Sequence, residues 1–478
     1  MNELLTKSAC EITQLLAEKQ VRPTELVEIS AKRIAQVEPL INAMPTVCID
    51  KALERAREIE NNPPDTHHVR GWLGGLPISI KDTLETAGVR TTFGSPIYAD
   101  YIPPASNILV QLLESRGAIM MGKSNTPEFA AGASTFNEVF GKTRNPWDTT
   151  KSVAGSSGGA CAGVATGEVW LATGSDFGGS LRTPASFNSV VGLRPSPGCV
   201  PRNHTLDPFD ALHVHGPIAR NTQDIALFLD AMSASHTHDP LSLPAPTNPY
   251  MHSIRNPIAP KRIAYSSDLG VTHVDPKIDA ICREATGYFQ HFDTIIEEKC
   301  SDFAGAIESF NVLRGASFAM NFAQEYSQNR DLLKPEIVWN IEQGMKLSAD
   351  DIGQAQRTQA RIFESLAEFF DQYDLLVSPC AIVEPFDVDQ RYVESIGEYV
   401  FSNYFEWIAI TFAITLTGCP TLALPAGFTD SGLPVGIQIT APPRGEPSLL
   451  SAGYLLEQET TIAQLLPIDP IVRHTIVP

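Results

Sequence analysis

The stretch from Ser152 to Pro184, SVAGSSGGACAGVATGEVWLATGSDFGGSLRTP, decides how the rest of the chain is read. Two Gly/Ser clusters, Gly155-Ser156-Ser157-Gly158-Gly159 and Gly178-Gly179-Ser180, flank a run of small residues and the apolar segment Val169-Trp170-Leu171-Ala172. The pattern predicts a loop, a tightly packed helix, a short buried strand and a second loop. Glycine lets a backbone approach a ligand closely. A serine placed directly after two glycines, on a turn leaving a strand, is expected to expose its hydroxyl among unpaired backbone N–H groups. A tetrahedral oxyanion needs such donors. Either cluster alone reads more simply as a turn; two clusters around one small-residue helix point to a site.

Composition sets the frame. The chain has 478 residues, 43% hydrophobic and 19% charged, which is a globular balance with enough apolar mass for a large core. A net charge of −20 argues against a nucleic-acid surface. The eight cysteines, Cys10, Cys48, Cys161, Cys199, Cys282, Cys300, Cys380 and Cys419, are scattered without a C-x-x-C pair and read as reduced thiols. The opening MNELLTKSACEITQLL is too polar for a signal peptide, and no apolar run reaches membrane-spanning length. A cytoplasmic protein with no membrane partner is expected.

Outward from the central stretch, Leu26, Ile29, Ile34 and Val37 share one helical face, with Pro23 at the helix start. In Leu76-Pro77-Ile78-Ser79-Ile80-Lys81, Ile78 and Ile80 alternate with Ser79 and Lys81, which is strand period. A lysine is usually a solvated charge, so Lys81 gains interest only from its context. Residues 108–117 predict a helix, 118–121 a buried strand, and 221–232 another helix. The prolines between Pro240 and Pro260 predict an irregular surface crossing. Residues 275–370 are mostly helical in pattern. Strands are expected at 262–265, 374–379, 420–425 and 435–439, and a last helix at 449–457. Alternating strands and helices predict α/β: a single large domain with a central mixed, twisted β-sheet covered by helices on both sides.

Several motifs compete with this reading. Gly117 to Ser124, GAIMMGKS, matches a phosphate-binding loop, but its four middle residues read as a strand, whereas such a loop comes after one. Nucleotide binding through 117–124 stays as a minor alternative. Gly155 to Gly159 fits the nucleophile elbow G-x-S-x-G with Ser157 as nucleophile, yet the residues before it, Trp147 to Ser152, are polar and loop-like. An α/β-hydrolase esterase using Ser157 is therefore a lesser alternative. His213-Val214-His215 and His236-Thr237-His238-Asp239 lack helical metal-ligand spacing and read as loop histidines, so no metal site is expected.

Lys81 in PISIKD, GKSNTPEFAAG (122–132), FGKTRNPWD (140–148), SVAGSSGGA (152–160), TGSDFGGSLRTPASFNSVVGLRPS (173–196), GPIARNTQDIALFLDAM (216–232), YDLLVSPCA (373–381) and GLPVGIQITAPP (432–443) together resemble the amidase signature family. The resemblance covers nearly the whole chain and is weakest from about 240 to 370. It implies one domain over 1–478: a helical layer at 1–65, a catalytic core at 66–235, a variable and mostly helical region at 236–370, and strands and helices at 371–478 that complete the core. It also implies a Ser–cis-Ser–Lys triad with Ser180 as nucleophile, Ser156 as relay on a cis peptide and Lys81 as base. The N–H groups of Phe177, Gly178, Gly179 and Ser180 would form an oxyanion hole. Ser157 would support the relay, Ala130 would line the acyl site, and no cofactor is implied.

The chemistry is consistent with those residue types. A serine hydroxyl becomes nucleophilic when a base takes its proton, and a buried lysine can be neutral enough to act. Asp176 and Arg182, on either side of the candidate nucleophile, are expected to lock the loop rather than form a surface pair of little worth. Where the family often has a glycine, this chain has Ala154. The implied activity is hydrolysis of a small-molecule amide by a stand-alone enzyme, with a homodimer left open. The alternative is the glutaminase component of a tRNA-dependent amidotransferase, which requires a partner subunit. The segment Pro195 to Arg202 looks more like the stand-alone enzymes. Phe303, Phe310, Phe318, Met320, Phe322 and Tyr326 read as core packing or an apolar acyl pocket.

Overall fold

A computed structural model describes residues 1–62, 69–203 and 207–473. The expected boundary at residues 65 and 66 lies outside the described residues.

One eleven-stranded sheet runs through the protein. In chain order its strands are β1 (Thr46–Val47), β2 (Pro77–Lys81), β3 (Ile119–Ser124), β4 (Leu171–Asp176), β5 (Val191–Arg194), β6 (Val214–Ala219), β7 (Arg262–Tyr265), β8 (Ile295–Glu298), β9 (Leu375–Pro379), β10 (Thr421–Phe428) and β11 (Pro434–Thr440). Their spatial order is β1-β3-β2-β4-β6-β5-β10-β11-β9-β7-β8. The trio β3-β2-β4 is parallel, as is β9-β7-β8, and the strands between are antiparallel, so the sheet is mixed. Central strands are buried along their whole length, which requires apolar cover on both faces. Leu422 and Leu424 enter the core on one face, while Ala423 between them enters the core on the other.

The sequence expectations hold for most elements. Helices span Pro23–Ile41, Ile108–Ser115, Thr222–Met232 and Glu446–Thr460. Asn221 caps the third of these by accepting from the Asp224 N–H. Three differences have physical causes. β1, β5, β6 and β8 are strands that the sequence pattern did not announce. β8 is a short edge strand whose residues are at most half-buried, so it carries little apolar signal. Within the proline-rich crossing, Met251–Arg255 forms a short helix, because Pro249 and Pro257 lie outside it. Residues before the first Gly/Ser cluster are not loop: Asp148–Ser152 pairs with Arg144–Asn145 in a small separate hairpin. Among the described residues no helix is long and apolar enough to cross a membrane.

The helix Gly158–Thr166 is buried at every position and packs between β3, β4 and the N-terminal layer. Only small residues allow that approach. A Cβ at Gly159 would stand 2.5 Å from the Asn125 nitrogen and 2.6 Å from the Ala43 oxygen, both backbone atoms that cannot yield cheaply. Gly159→Ala is therefore expected to destabilise the fold by about 1–3 kcal/mol or more, read as a lower unfolding midpoint. An unchanged midpoint would show that the helix is not packed this closely.

Candidate active site

Lys81 ends β2, and all five residues of that strand are buried. Its backbone N–H donates to Thr173 Oγ1 on β4 at 2.9 Å, which pins the strand end beside β4. Its Nζ meets three hydroxyls: Ser156 Oγ at 2.7 Å, Ser175 Oγ at 2.9 Å and Ser157 Oγ at 3.0 Å. An ammonium in a fully enclosed place loses hydration that three hydroxyls only partly replace. Burial accordingly pulls the Lys81 pKa down to about 7, against the attraction of Asp176.

Ser156 and Ser157 sit in the turn before the small-residue helix, and the Gly155–Ser156 peptide is cis. Ser157 holds the N-cap position but does not cap. Its hydroxyl is committed instead to Lys81, to the Ser175 carbonyl and to the Ser175 N–H. Ala154 has φ +55°, where glycine is the easy choice, so the alanine carries a local cost of about 1–2 kcal/mol.

The second cluster leaves the end of β4. Gly179 has φ +124°, and a Cβ there would fall 2.2 Å from Thr411 Oγ1. The same Thr411 hydroxyl donates to the Gly178 carbonyl at 2.7 Å. Ser180 comes next, half-buried, and its carbonyl accepts from the Ser157 N–H at 3.3 Å, which ties the two clusters together. One expectation needs correction. The Gly179 N–H does not face open space; it donates to Asp176 Oδ1 at 2.9 Å. Among the described residues no acceptor meets the N–H groups of Phe177, Gly178 or Ser180, so the unpaired donors number three rather than four.

Asp176 and Arg182 are fully buried and joined by two hydrogen bonds, Nε to Oδ2 at 3.0 Å and Nη2 to Oδ1 at 3.1 Å. Arg194, also buried, adds a bond from Nη1 to Oδ1 at 3.1 Å. Burial alone would raise the Asp176 pKa, but the two guanidinium groups overcome it and hold the carboxyl well below its usual range. Arg182 continues to the Thr411 carbonyl, the Thr415 hydroxyl and Gln438 Oε1, each within 2.8–2.9 Å. The pair thus locks the loop from inside.

Ser156, Ser175 and Ser180 open onto one cavity of about 630 Å³. Ala130 lines it, as do Phe129, Phe177, Phe318 and Phe322. Of the aromatic residues singled out in the variable region, Phe318 and Phe322 therefore face the cavity. Phe303 and Phe310 are core, and Met320 is exposed. Tyr326 donates to Glu342 instead. Ser157 is fully buried and does not line the cavity, which removes the geometric basis for its use as a nucleophile. Lys123 of the GAIMMGKS run is buried on β3, with Nζ bonded to the Leu84 carbonyl and Thr86 Oγ1. It cannot cradle a phosphate there.

His213 and His215 are not simple loop histidines. His215 lies on β6 directly opposite Ser175, and both rings line the cavity. Burial first, then Arg202 and Lys81, pull His215 down to about 3, and His213 is likewise held neutral. Among the described residues no three His, Cys, Asp or Glu side chains converge as a metal set would. Ser175 is the site residue that sequence reasoning missed most plainly. A signal for it exists: it sits two residues after Thr173 and directly before Asp176, on the strand that delivers the loop.

Comparison with known proteins agrees with this geometry. The Amidase family profile matches residues 25–450. An acylamidase of Rhodococcus erythropolis is 32% identical over 473 residues, covering 97% of this chain and 98% of that protein. The A subunit of the glutamyl-tRNA(Gln) amidotransferase of Thermosynechococcus vestitus is 31% identical over 482 residues, covering 96% and 98%. The crystal structure of a bacterial aryl acylamidase belonging to the amidase signature enzymes superposes with a TM-score of 0.88 at 26% identity, over 96% of this chain and 97% of that one. A match that spans the buried lysine, both serine clusters and the locked loop means that this chain belongs to the amidase signature family.

Proposed function

We propose that the protein hydrolyses carboxylic amides through an acyl-enzyme on Ser180, with Ser156 and Lys81 relaying the protons. The observation that carries this reading is the Lys81 Nζ–Ser156 Oγ contact of 2.7 Å at a lysine whose pKa burial brings to about 7. A neutral amine can accept a proton near neutral pH, and an amine with an ordinary lysine pKa cannot. Ser180 attacks the amide carbon. Its proton passes to Ser156 while the Ser156 proton passes to Lys81. The tetrahedral oxyanion is held by the N–H groups of Phe177, Gly178 and Ser180, which have no other acceptor among the described residues. The proton returns through Ser156 to the departing amine, and water then cleaves the acyl-enzyme by the same route. Ser175 and Ser157 hold the Lys81 amine in place.

The likeness to the amidotransferase relatives supports a second reading, in which glutamine is the amide and ammonia passes to a partner subunit. Turnover of simple amides by the purified chain alone would decide for the stand-alone enzyme.

Three outcomes test the proposal. Incubation with a panel of amides, followed by intact-protein mass spectrometry, should reveal an acyl adduct in wild type and Ser157→Ala but not in Ser180→Ala. Ser180→Ala should also lose roughly a thousandfold or more in rate. An adduct that persists in Ser180→Ala and disappears in Ser157→Ala would refute the assignment.

The pH profile depends on the direction of the Lys81 shift. Below the pKa the amine is charged and cannot take a proton. kcat/KM should therefore rise with pH through about 7 and level off above it. A profile flat from about pH 5 to 9 would exclude Lys81 as the base.

Asp176→Ala would leave Arg182 and Arg194 buried without their carboxylate. The expected loss is about 3–5 kcal/mol of stability, with activity lost before global unfolding as the loop relaxes. Wild-type stability in that variant would show that the network is not what holds the loop.

A further inference from the structure

Two guanidinium groups line the cavity, and they differ in one respect. Arg202 is paired: its Nη1 lies 3.5 Å from Asp210 Oδ2, and its Nη2 bonds the Asp210 carbonyl. Arg314, on the helix Ala306–Asn321, is only 6% exposed and has no carboxylate partner among the described residues. Its Nε donates to Asn340 Oδ1 at 3.1 Å and its Nη2 to the Tyr404 hydroxyl at 2.9 Å. Both partners are neutral. A guanidinium has five N–H donors in a planar fork, and Nη1 meets no acceptor among the described residues. Arg314 lines the cavity, and its Nη1 is not among the fully enclosed atoms that lack a partner.

The surroundings keep this cation rigid without neutralising it. The rings of Phe318, Phe405 and Phe177 stand 4.5, 4.8 and 5.9 Å from its central carbon. Aromatic faces attract a cation but do not satisfy its remaining N–H groups. The acid Glu336 is already held by Nε and Nη2 of Arg391. Burial lowers the Lys334 pKa to about 8; Glu336 and Glu128 oppose the fall, and Arg391 and Arg314 add smaller contributions to it. A preset, largely buried guanidinium without a carboxylate partner among the described residues, beside a reaction centre, suits a carboxylate, which forms charge-assisted hydrogen bonds with it. A neutral ligand leaves the charge unanswered, and sites of that kind reject such ligands strongly.

We propose that Arg314 binds a carboxylate carried by the substrate away from the scissile bond, so that the preferred substrates are carboxylated amides such as monoamides of dicarboxylic acids. This rests on the amide-hydrolase reading. Phe177 links the two sites, because its ring borders Arg314 while its N–H belongs to the loop that ends in Ser180. Arg314 is thus a specificity-determining residue and not a participant in bond cleavage.

The test compares kcat/KM for succinamate, glutaramate and adipamate with that for butanamide, pentanamide and hexanamide. Wild type, Arg314→Met and Arg314→Lys are run side by side. Wild type should favour at least one carboxylated amide over its neutral match by tenfold or more. Arg314→Met should lose roughly 100-fold more on that substrate than on the neutral amide, and Arg314→Lys should restore part of the difference. No preference in wild type, or an equal fall on both substrates, would overturn the inference and leave Arg314 a packing residue. A calorimetric titration of Ser180→Ala with glutaramate, with and without Arg314→Met, separates the two proposals. Binding that needs Arg314 while wild type turns over nothing would uphold the carboxylate site and remove the hydrolase reading. Absence of both binding and turnover would remove both.

Discussion

Enclosing the amine of Lys81 is the constraint on which the rest of the structure turns. A lysine in water keeps its proton near neutrality, and a lysine without water does so only if something else stabilises the charge. Here the replacements are hydroxyl oxygens of Ser156, Ser157 and Ser175, which accept hydrogen bonds but carry no charge. The amine is thereby left between its two protonation states. Holding it there demands that β2 end beside β4 and that the turn before Gly158 fold down over both. A helix slim enough to continue from that turn without pushing the strands apart is also required. The buried glycines and alanines of Gly158–Thr166 meet the last demand.

A second requirement arises from the first. Burying Gly178 and Gly179 also takes that part of the loop away from solvent, so the protein must hold it from inside. Asp176 does so with one carboxylate and two arginines, and it orients the Gly179 N–H as well. The arrangement is costly in isolation, since a buried charge is tolerated only when its partners are complete. The partners come from distant parts of the chain: Thr411 and Thr415 from one helix, Gln438 from β11, and Arg194 from β5. The C-terminal third is thus tied to the central loop by direct bonds as well as by packing. The same Asp176 also counteracts, at a distance, the fall in the Lys81 pKa. The network therefore bears on proton affinity as well as on geometry.

Hydroxyls and aromatic rings line the cavity together, drawn from different parts of the chain. Ser156, Ser175 and Ser180 come from the densely packed centre, whereas Phe318, Phe322 and Arg314 come from the helix Ala306–Asn321 and the residue after it. The two parts meet where the Phe177 ring packs against Phe310 and Arg314 of that helix, so the helix also braces the loop that ends in Ser180.

Much of the fold was legible along the chain. Strand period at Ile78 and Ile80, the capped helix at Asn221 and the small-residue run after Ser157 each have a local cause. Lys81, Ser156 and Ser180 were reachable only through family resemblance, because a lysine and two glycine-flanked serines are commonplace singly. β1, β5, β6 and β8 escaped because short or fully buried strands lack the alternation that marks half-buried ones. His215 lies opposite Ser175 only through the antiparallel register of β6 and β4, and Arg314 reaches the cavity from more than a hundred residues away in sequence. The sequence by itself determined the element types, the small-residue helix and the residues available for catalysis. The tertiary structure decided which hydroxyls surround Lys81, that the Gly179 N–H is already engaged, and that Arg314 stands without a carboxylate among the described residues. These are matters of desolvation and pairing, which depend on what long-range packing brings together and are not encoded in any local stretch.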